Sequence, residues 1–385
     1  MTSGELAIGA AGALILAVAL ADLFVTVFNY DGYRFVADRV QRLLWRSLRF
    51  VTRPLPDELR HSALSLGSAA MLPATLALWL GLEIIGFAMM YEPGLTGGSF
   101  SLSHHLPPSI GSAFYLSGGA ISSLTFGDIV AVGWLYRALV DLETIIGLIT
   151  FTLGLGYVVT TFGVLHRLDD LHDTVRRHAA DPARPSSILS RHFRGGEPSE
   201  LPTLLQTLAE KLESYDQGLR RYPVVYYFHT RRSARSIPQT FASLGHLIAL
   251  LRFGLPAGEP IRDDAMLAAL GNEYGTTLER LQRSFVGPPS LESPEPLDRD
   301  EFAAAYRDDG RDDAVDRFRK LGEEARTATG VSDEGEDGED AYERYREWLP
   351  FDHRNRVLLA RIADALGYEV RWAGAEVALR TSGEE

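Results

Sequence analysis

Three long apolar runs stand in the first 165 residues, and no other feature limits so strictly what this chain can become. Crossing about 30 Å of hydrocarbon takes about 20 mostly apolar residues in a helix. The first run is Leu6–Phe28, with one acid, Asp22. The second is Ser62–Tyr91, interrupted only by Pro73 and Glu83, and the third extends from Trp134 to Leu165. The other reading of the first run is a cleaved secretory segment. Glu5, the absence of Lys or Arg before the run, and its length favour a membrane span. Trp79, Tyr91, Trp134 and Tyr136 suit membrane-interface positions, with interior packing the alternative for Trp79.

Orientation follows from the basic residues. Arg34, Arg39, Arg42, Arg46, Arg49 and Arg53 alternate with apolar side chains such as Phe35, Leu43, Trp45 and Phe50. That spacing predicts a basic amphipathic helix lying on the cytoplasmic membrane face, or else a linker helix. Either way the segment is inside, as Arg167, Arg176 and Arg177 after the third run also indicate. The N-terminus and the loop between the second and third runs are then outside, and 166–385 is cytoplasmic.

The outer loop carries the most specific pattern. After Pro107-Pro108 comes a semi-apolar stretch from Ser109 to Ile121, too short to span, followed by Ser122-Ser123-Leu124-Thr125-Phe126-Gly127-Asp128. The stretch has the length of a re-entrant helix that the prolines would start. Irregular backbone at membrane depth survives only beside protein or water. Span, short helix, small-residue turn and span together resemble the pore module of the potassium-channel superfamily, whose filter reads Thr-Val-Gly-Tyr-Gly-Asp. The resemblance covers roughly 62–165.

Aligned on Gly127-Asp128, the resemblance implies a selectivity filter of Ser123, Leu124, Thr125, Phe126, Gly127 and Asp128. Carbonyls of the first four, with the Ser123 hydroxyl, would replace an ion's water shell. Phe126 would pack behind the filter, and Asp128 would sit at the outer mouth. Ser122 and the pair Phe114-Tyr115 also match. The family's first filter glycine is here Thr125, a β-branched residue for which a positive φ is strained. With that departure the sequence supports a cation pore more firmly than strict potassium selectivity; by resemblance potassium is the first expectation for the permeant ion. A weakly selective monovalent cation channel and a non-conducting membrane sensor keeping the pore fold are the alternatives. Four chains are needed to surround an ion, so the resemblance implies a homotetramer in contact with lipid.

The third run becomes the pore-lining inner helix. Acids inside a span are costly and usually functional. Glu143 is expected to support the filter by holding backbone amides or Arg137; an outer-leaflet acid reaching water is the other reading. Gly147, Gly154 and Gly156 are candidate gating hinges by resemblance, or else points of close helix packing. A constriction is expected near Val158–Phe162.

The expected class is thus an all-α membrane protein of three transmembrane helices, a re-entrant pore helix with its filter, and a mostly helical cytoplasmic domain. Its parts are a transmembrane helix in 1–30, a basic amphipathic helix in 31–60, the pore module in 61–165 and the cytoplasmic domain in 166–385. Within the last, 202–219, 237–251, 263–285, 301–306, 313–326 and 355–366 have helical spacing, Gly367–Trp372 reads as a short strand, and an acidic mobile loop lies near 329–340.

A net charge of −13 argues against nucleic acid as partner, and the absence of cysteine excludes disulfides and thiolate metal sites. His166, His172, His178 and His192 are poorly spaced for a metal. Arg231, Arg232 and Arg235 form a basic turn, exposed or meeting an anionic group. No catalytic motif, cofactor loop or Rossmann glycine pattern is found, so the chain is not expected to be an enzyme. An unidentified cytoplasmic ligand remains possible on this reading.

Overall fold

Apolar helices whose ends must each satisfy orphaned backbone groups dominate the architecture. A computed structural model describes residues 3–28, 36–103, 105–124, 127–179, 184–194, 197–287, 293–308, 310–331 and 338–370. The chain forms two compact units, one of Met1–Val164 with Leu219–Phe228 and one of Leu165–Gly218 with His229–Glu385.

In the first unit, α1 (Ser3–Phe28), α3 (Asp57–Thr96) and α5 (Trp134–His178) are each long and apolar enough to cross a membrane. α1 packs closely against α3: a Cβ on Gly12 would lie 2.5 Å from the Gly86 carbonyl. Between them, α2 (Val36–Thr52) runs alongside α3, because Gln41 bonds Thr75 and Leu48 covers Gly67. The amphipathic helix expected in 31–60 thus packs lengthwise on α3. Its apolar side is shared between α3 and Tyr227, whose ring lies 6.0 Å from Trp45.

The loop between α3 and α5 holds β1 (Phe100–Leu102), the twelve-residue α4 (Ile110–Ile121) and β2 (Ile129–Ala131). β1 and β2 pair antiparallel, with Ser101 opposite Val130, so both ends of the loop are clamped together. Ser109 caps α4 by accepting from the Ser112 amide, while the Ser112 hydroxyl donates to the Pro107 carbonyl. The core beneath is aromatic. Tyr91 lies 5.9 Å from Phe100, and Phe100 lies 4.9 Å from Tyr136.

Trp79 takes the interior packing given as its alternative, and Tyr91 is packed inside as well. Trp79 and Tyr91 are both fully buried, because each has a buried acid to satisfy. Trp134 is 80% exposed.

The second unit contains α6 (Ser186–His192), the hairpin β3 (Phe193–Arg194) and β4 (Glu197–Pro198), and then α7 (Leu201–Arg221), which the two units share. After it come α8 (Ile237–Ala249), α9 (Ala265–Leu281), α10 (Arg299–Arg307), α11 (Asp313–Thr329) and α12 (Gly338–Leu366). Rings of Tyr215, Phe241, Tyr274 and Phe351 follow one another at 5.8 to 6.4 Å through its core.

Two expectations change in this unit. Residues 367–370 are not a strand: Gly367, at φ 75°, closes α12, with its amide bonded to Asp364 and that of Tyr368 to Ala363. Residues 338–340, expected in the acidic loop, form the first turn of α12, where acids oppose the positive helix end. Residues 332–337 and Trp372 lie outside the described residues.

Candidate functional site

The short helix α4 is held by one carboxylate. Glu143, fully buried on α5, accepts from the Tyr91 hydroxyl at 2.6 Å and from the Ser117 hydroxyl. Ser117 also faces the Ile84 carbonyl at 3.1 Å. One side chain thus ties α3, α4 and α5 together. The expected partners were backbone amides or Arg137, but Arg137 turns away and donates to the Ala131 carbonyl. Hydroxyls win because they satisfy the carboxylate without burying a second charge. Farther along the same helices, Thr150 donates to Glu83 at 2.6 Å, and both are fully buried.

The turn after α4 begins as a helix cap. The Ser123 amide bonds to Ala120 and the Leu124 amide to Gly119, with Ser123 in the left-handed region at φ 59°. This is the same closure that Gly367 makes, on a residue that carries a Cβ. It costs Ser123 about 1 kcal/mol. The sequence placed the strained position at Thr125; Thr125 and Phe126 lie outside the described residues.

Ser122 bonds back to the Gly118 and Gly119 carbonyls, and Leu124 is exposed. Gly127, at φ 78°, suits a backbone that L side chains resist. Asp128 accepts from the Tyr115 hydroxyl at 2.9 Å, and its carbonyl accepts from the Ser103 amide. Beside these residues, an open cleft of ≈ 410 Å³ also takes in Arg137 and Asp141.

The three glycines of α5 separate. A Cβ on Gly147 would lie 2.5 Å from the Ile121 carbonyl, so this glycine lets α5 meet the end of α4. Gly154 faces a flexible Leu76 side chain, and Gly156 faces open space. Ile145, Leu148, Thr152, Leu155, Val159 and Phe162 recur every three or four residues on the exposed side of α5.

A second buried acid went unassigned by sequence reasoning. Asp22 accepts from the Val36 and Ala37 amides, at 2.6 and 3.1 Å, and from the Trp79 indole at 2.8 Å. It serves as the cap of α2 from the end of α1. An acid in an apolar run just before a basic amphipathic segment was the available signal. Tyr91, Ser117 and Thr150 offered no such signal, being ordinary residues in apolar helices.

Among the described residues no cluster of three or more His, Asp or Glu side chains is arranged to hold a metal. His178 and His192 meet at 3.0 Å, and the second ring nitrogen of His192 donates to the Ser199 carbonyl. Arg231 and Arg232 are exposed, and Arg235 pairs with Asp173 at 3.2 Å.

No family model matches the chain, and no solved structure matches it. It is 20% identical over 288 residues to a Bacillus subtilis (strain 168) protein described as "Uncharacterized membrane protein YdjJ". The match covers 74% of this chain and 81% of that one. The chain is an all-α membrane protein. Two small hairpins are its described strands.

Proposed function

We propose that this chain is one subunit of a homotetrameric cation channel of the potassium-channel type, with ions passing through the backbone of Ser123–Asp128. The observation that carries the reading is the tie of Glu143 to Ser117 and Tyr91, which fixes a helix too short to span between two helices that are long enough. A short helix held between two such helices, ending in a small-residue turn, fits a backbone that lines a water-filled path. In a tetramer the exposed stripe of α5 faces the axis, with Leu148 and Thr152 above and Val159 and Phe162 at the narrowing. The Arg-rich α2 is cytoplasmic, so the N-terminus is outside and the second unit is inside. That unit assembles or gates the pore. No cofactor takes part, and potassium is the permeant ion.

The test is a reversal potential across a planar bilayer with potassium on one side and sodium on the other, using purified protein. A value near the potassium equilibrium potential is expected. Current reversing near zero voltage sinks the potassium assignment and leaves a weakly selective monovalent cation pore. Absence of current from tetramers of confirmed mass sinks conduction and leaves a membrane sensor.

The left-handed Ser123 favours those two alternatives, since no glycine stands at 123 or 125 to relax the path. Ser123→Gly and Thr125→Gly, measured in the same bilayer, separate them. Restored selectivity points to strain in a working filter, and unchanged silence points to a sensor.

A further inference from the structure

The second unit holds a cavity among α8, α9, α11 and α12 that the conduction path does not use. Gly245 in its lining lets Tyr274 and Asn355 pack close against α8. A Cβ there would lie 2.5 Å from the Tyr274 hydroxyl and 3.2 Å from the Asn355 amide nitrogen. The Asn355 side chain lines the cavity, is only 6% exposed, and makes no hydrogen bond. Its amide has four bonding positions with no partner in the chain, and they open onto the cavity, where an arriving polar group can meet them. Trp348 and Phe351 supply flat apolar walls.

The charges of the lining are unevenly engaged. Glu324 is taken by His246 at 3.0 Å, and Asp352 by Arg317 at 3.1 Å. Burial raises the Asp352 carboxyl, with Arg317 and Arg356 pulling the other way. Both acids therefore already have a partner within the lining, His246 for Glu324 and Arg317 for Asp352. Lys320, exposed at the mouth on α11, has no such partner. With Arg317, Lys320 and Arg356 set against Glu324 and Asp352, the lining carries one formal positive charge in excess.

We infer that this cavity binds a small organic anion, whose carboxylate or phosphate meets Lys320 and whose polar body is read by the Asn355 amide between the Trp348 and Phe351 rings. The inference rests on the second unit alone and holds whether or not the protein conducts.

Calorimetric titration of the detergent-solubilised full chain with glutamate, citrate, AMP and inorganic phosphate, each separately, tests it. Saturable binding of an organic anion is expected, weakened at least ten-fold by Asn355→Leu and by Lys320→Gln. Which titrant binds distinguishes a carboxylate from a phosphate ester. If Asn355→Leu fails to fold, the exposed Lys320→Gln decides alone. Three results overturn the inference: no saturable heat from any of the four, inorganic phosphate binding as tightly as the best organic anion, or affinity indifferent to Lys320→Gln.

Discussion

Acids inside the long apolar helices of the first unit and acids of the second unit are satisfied by different partners. In the first, Asp22, Glu83 and Glu143 are fully buried, and the donors they accept from are hydroxyls, amides and an indole. In the second, carboxylates meet guanidinium groups: the buried Asp216 with Arg280 at 2.7 Å, and the half-buried Asp340 with the almost fully buried Arg344 at 2.9 Å. The difference follows from solvent. An arginine outside the long apolar helices can lead its long stem towards water, whereas in hydrocarbon a second charge adds a second desolvation cost. Inside the long apolar helices neutral donors therefore do what cations do in the second unit; on α2 the buried Asp38 again meets a guanidinium, Arg42, at 2.7 Å.

The sharpest way to break this contrast is at Glu143. Glu143→Ala removes the acceptor of Tyr91 and Ser117 together and is expected to cost about 3 kcal/mol, read as a lowered Tm in detergent. Glu143→Gln keeps an acceptor and is expected to cost less than half of that. Equal losses for the two variants would mean that charge, not hydrogen bonding, holds α4.

Asp22→Ala comes next, at about 2 kcal/mol, because two helix-end amides and the Trp79 indole lose their acceptor. Asp22→Asn should recover part, since an amide oxygen still caps. Hydrogen exchange at the Val36 and Ala37 amides checks that the loss is local to α2.

In the second unit, Arg280→Ala should cost about 1 to 2 kcal/mol, since Asp216 is only 2% exposed and is left without this cation. Added salt should narrow the gap between wild type and variant only slightly, because the pair is largely sheltered. A gap that vanishes in salt would mark the pair as a surface contact and weaken the comparison.

The smallest effect concerns Glu324. Burial raises its carboxyl, but the bonds from His246 and Ser186 and the nearby Arg184 outweigh it and hold the group below its ordinary range. A depressed carboxylate stabilises the fold above its unfolded pKa of about 4.3, and that share is lost as pH falls through the folded value. Below about pH 4 the wild type should therefore lose more Tm than His246→Gln does. Parallel acid curves for the two would remove His246 as the cause.

Much of this was legible in the sequence because it depends on period and length. Leu6–Phe28, Ser62–Tyr91 and Trp134–Leu165 announced their helices through apolar runs, and Pro107-Pro108 announced the start of a short helix between them. Glu143 stood out because an acid in an apolar helix is rare. Its partners did not, since Tyr91 and Ser117 are 26 residues apart from each other and reach it only through packing. The roles of Gly147 and Gly156 were equally hidden. Both weaken a helix, and only the neighbour, Ile121 in one case and open space in the other, separates them.

By itself the sequence determined an all-α membrane protein with a helical second unit, because hydrophobic length and helical period are local properties that any tertiary arrangement must respect. Only the tertiary structure decided which donors satisfy Asp22, Glu83 and Glu143, that Ser123 takes the left-handed turn, and that Asn355 faces a cavity with its amide idle. Those are relations between residues far apart in the chain, set by which surfaces pack, and no local pattern encodes them.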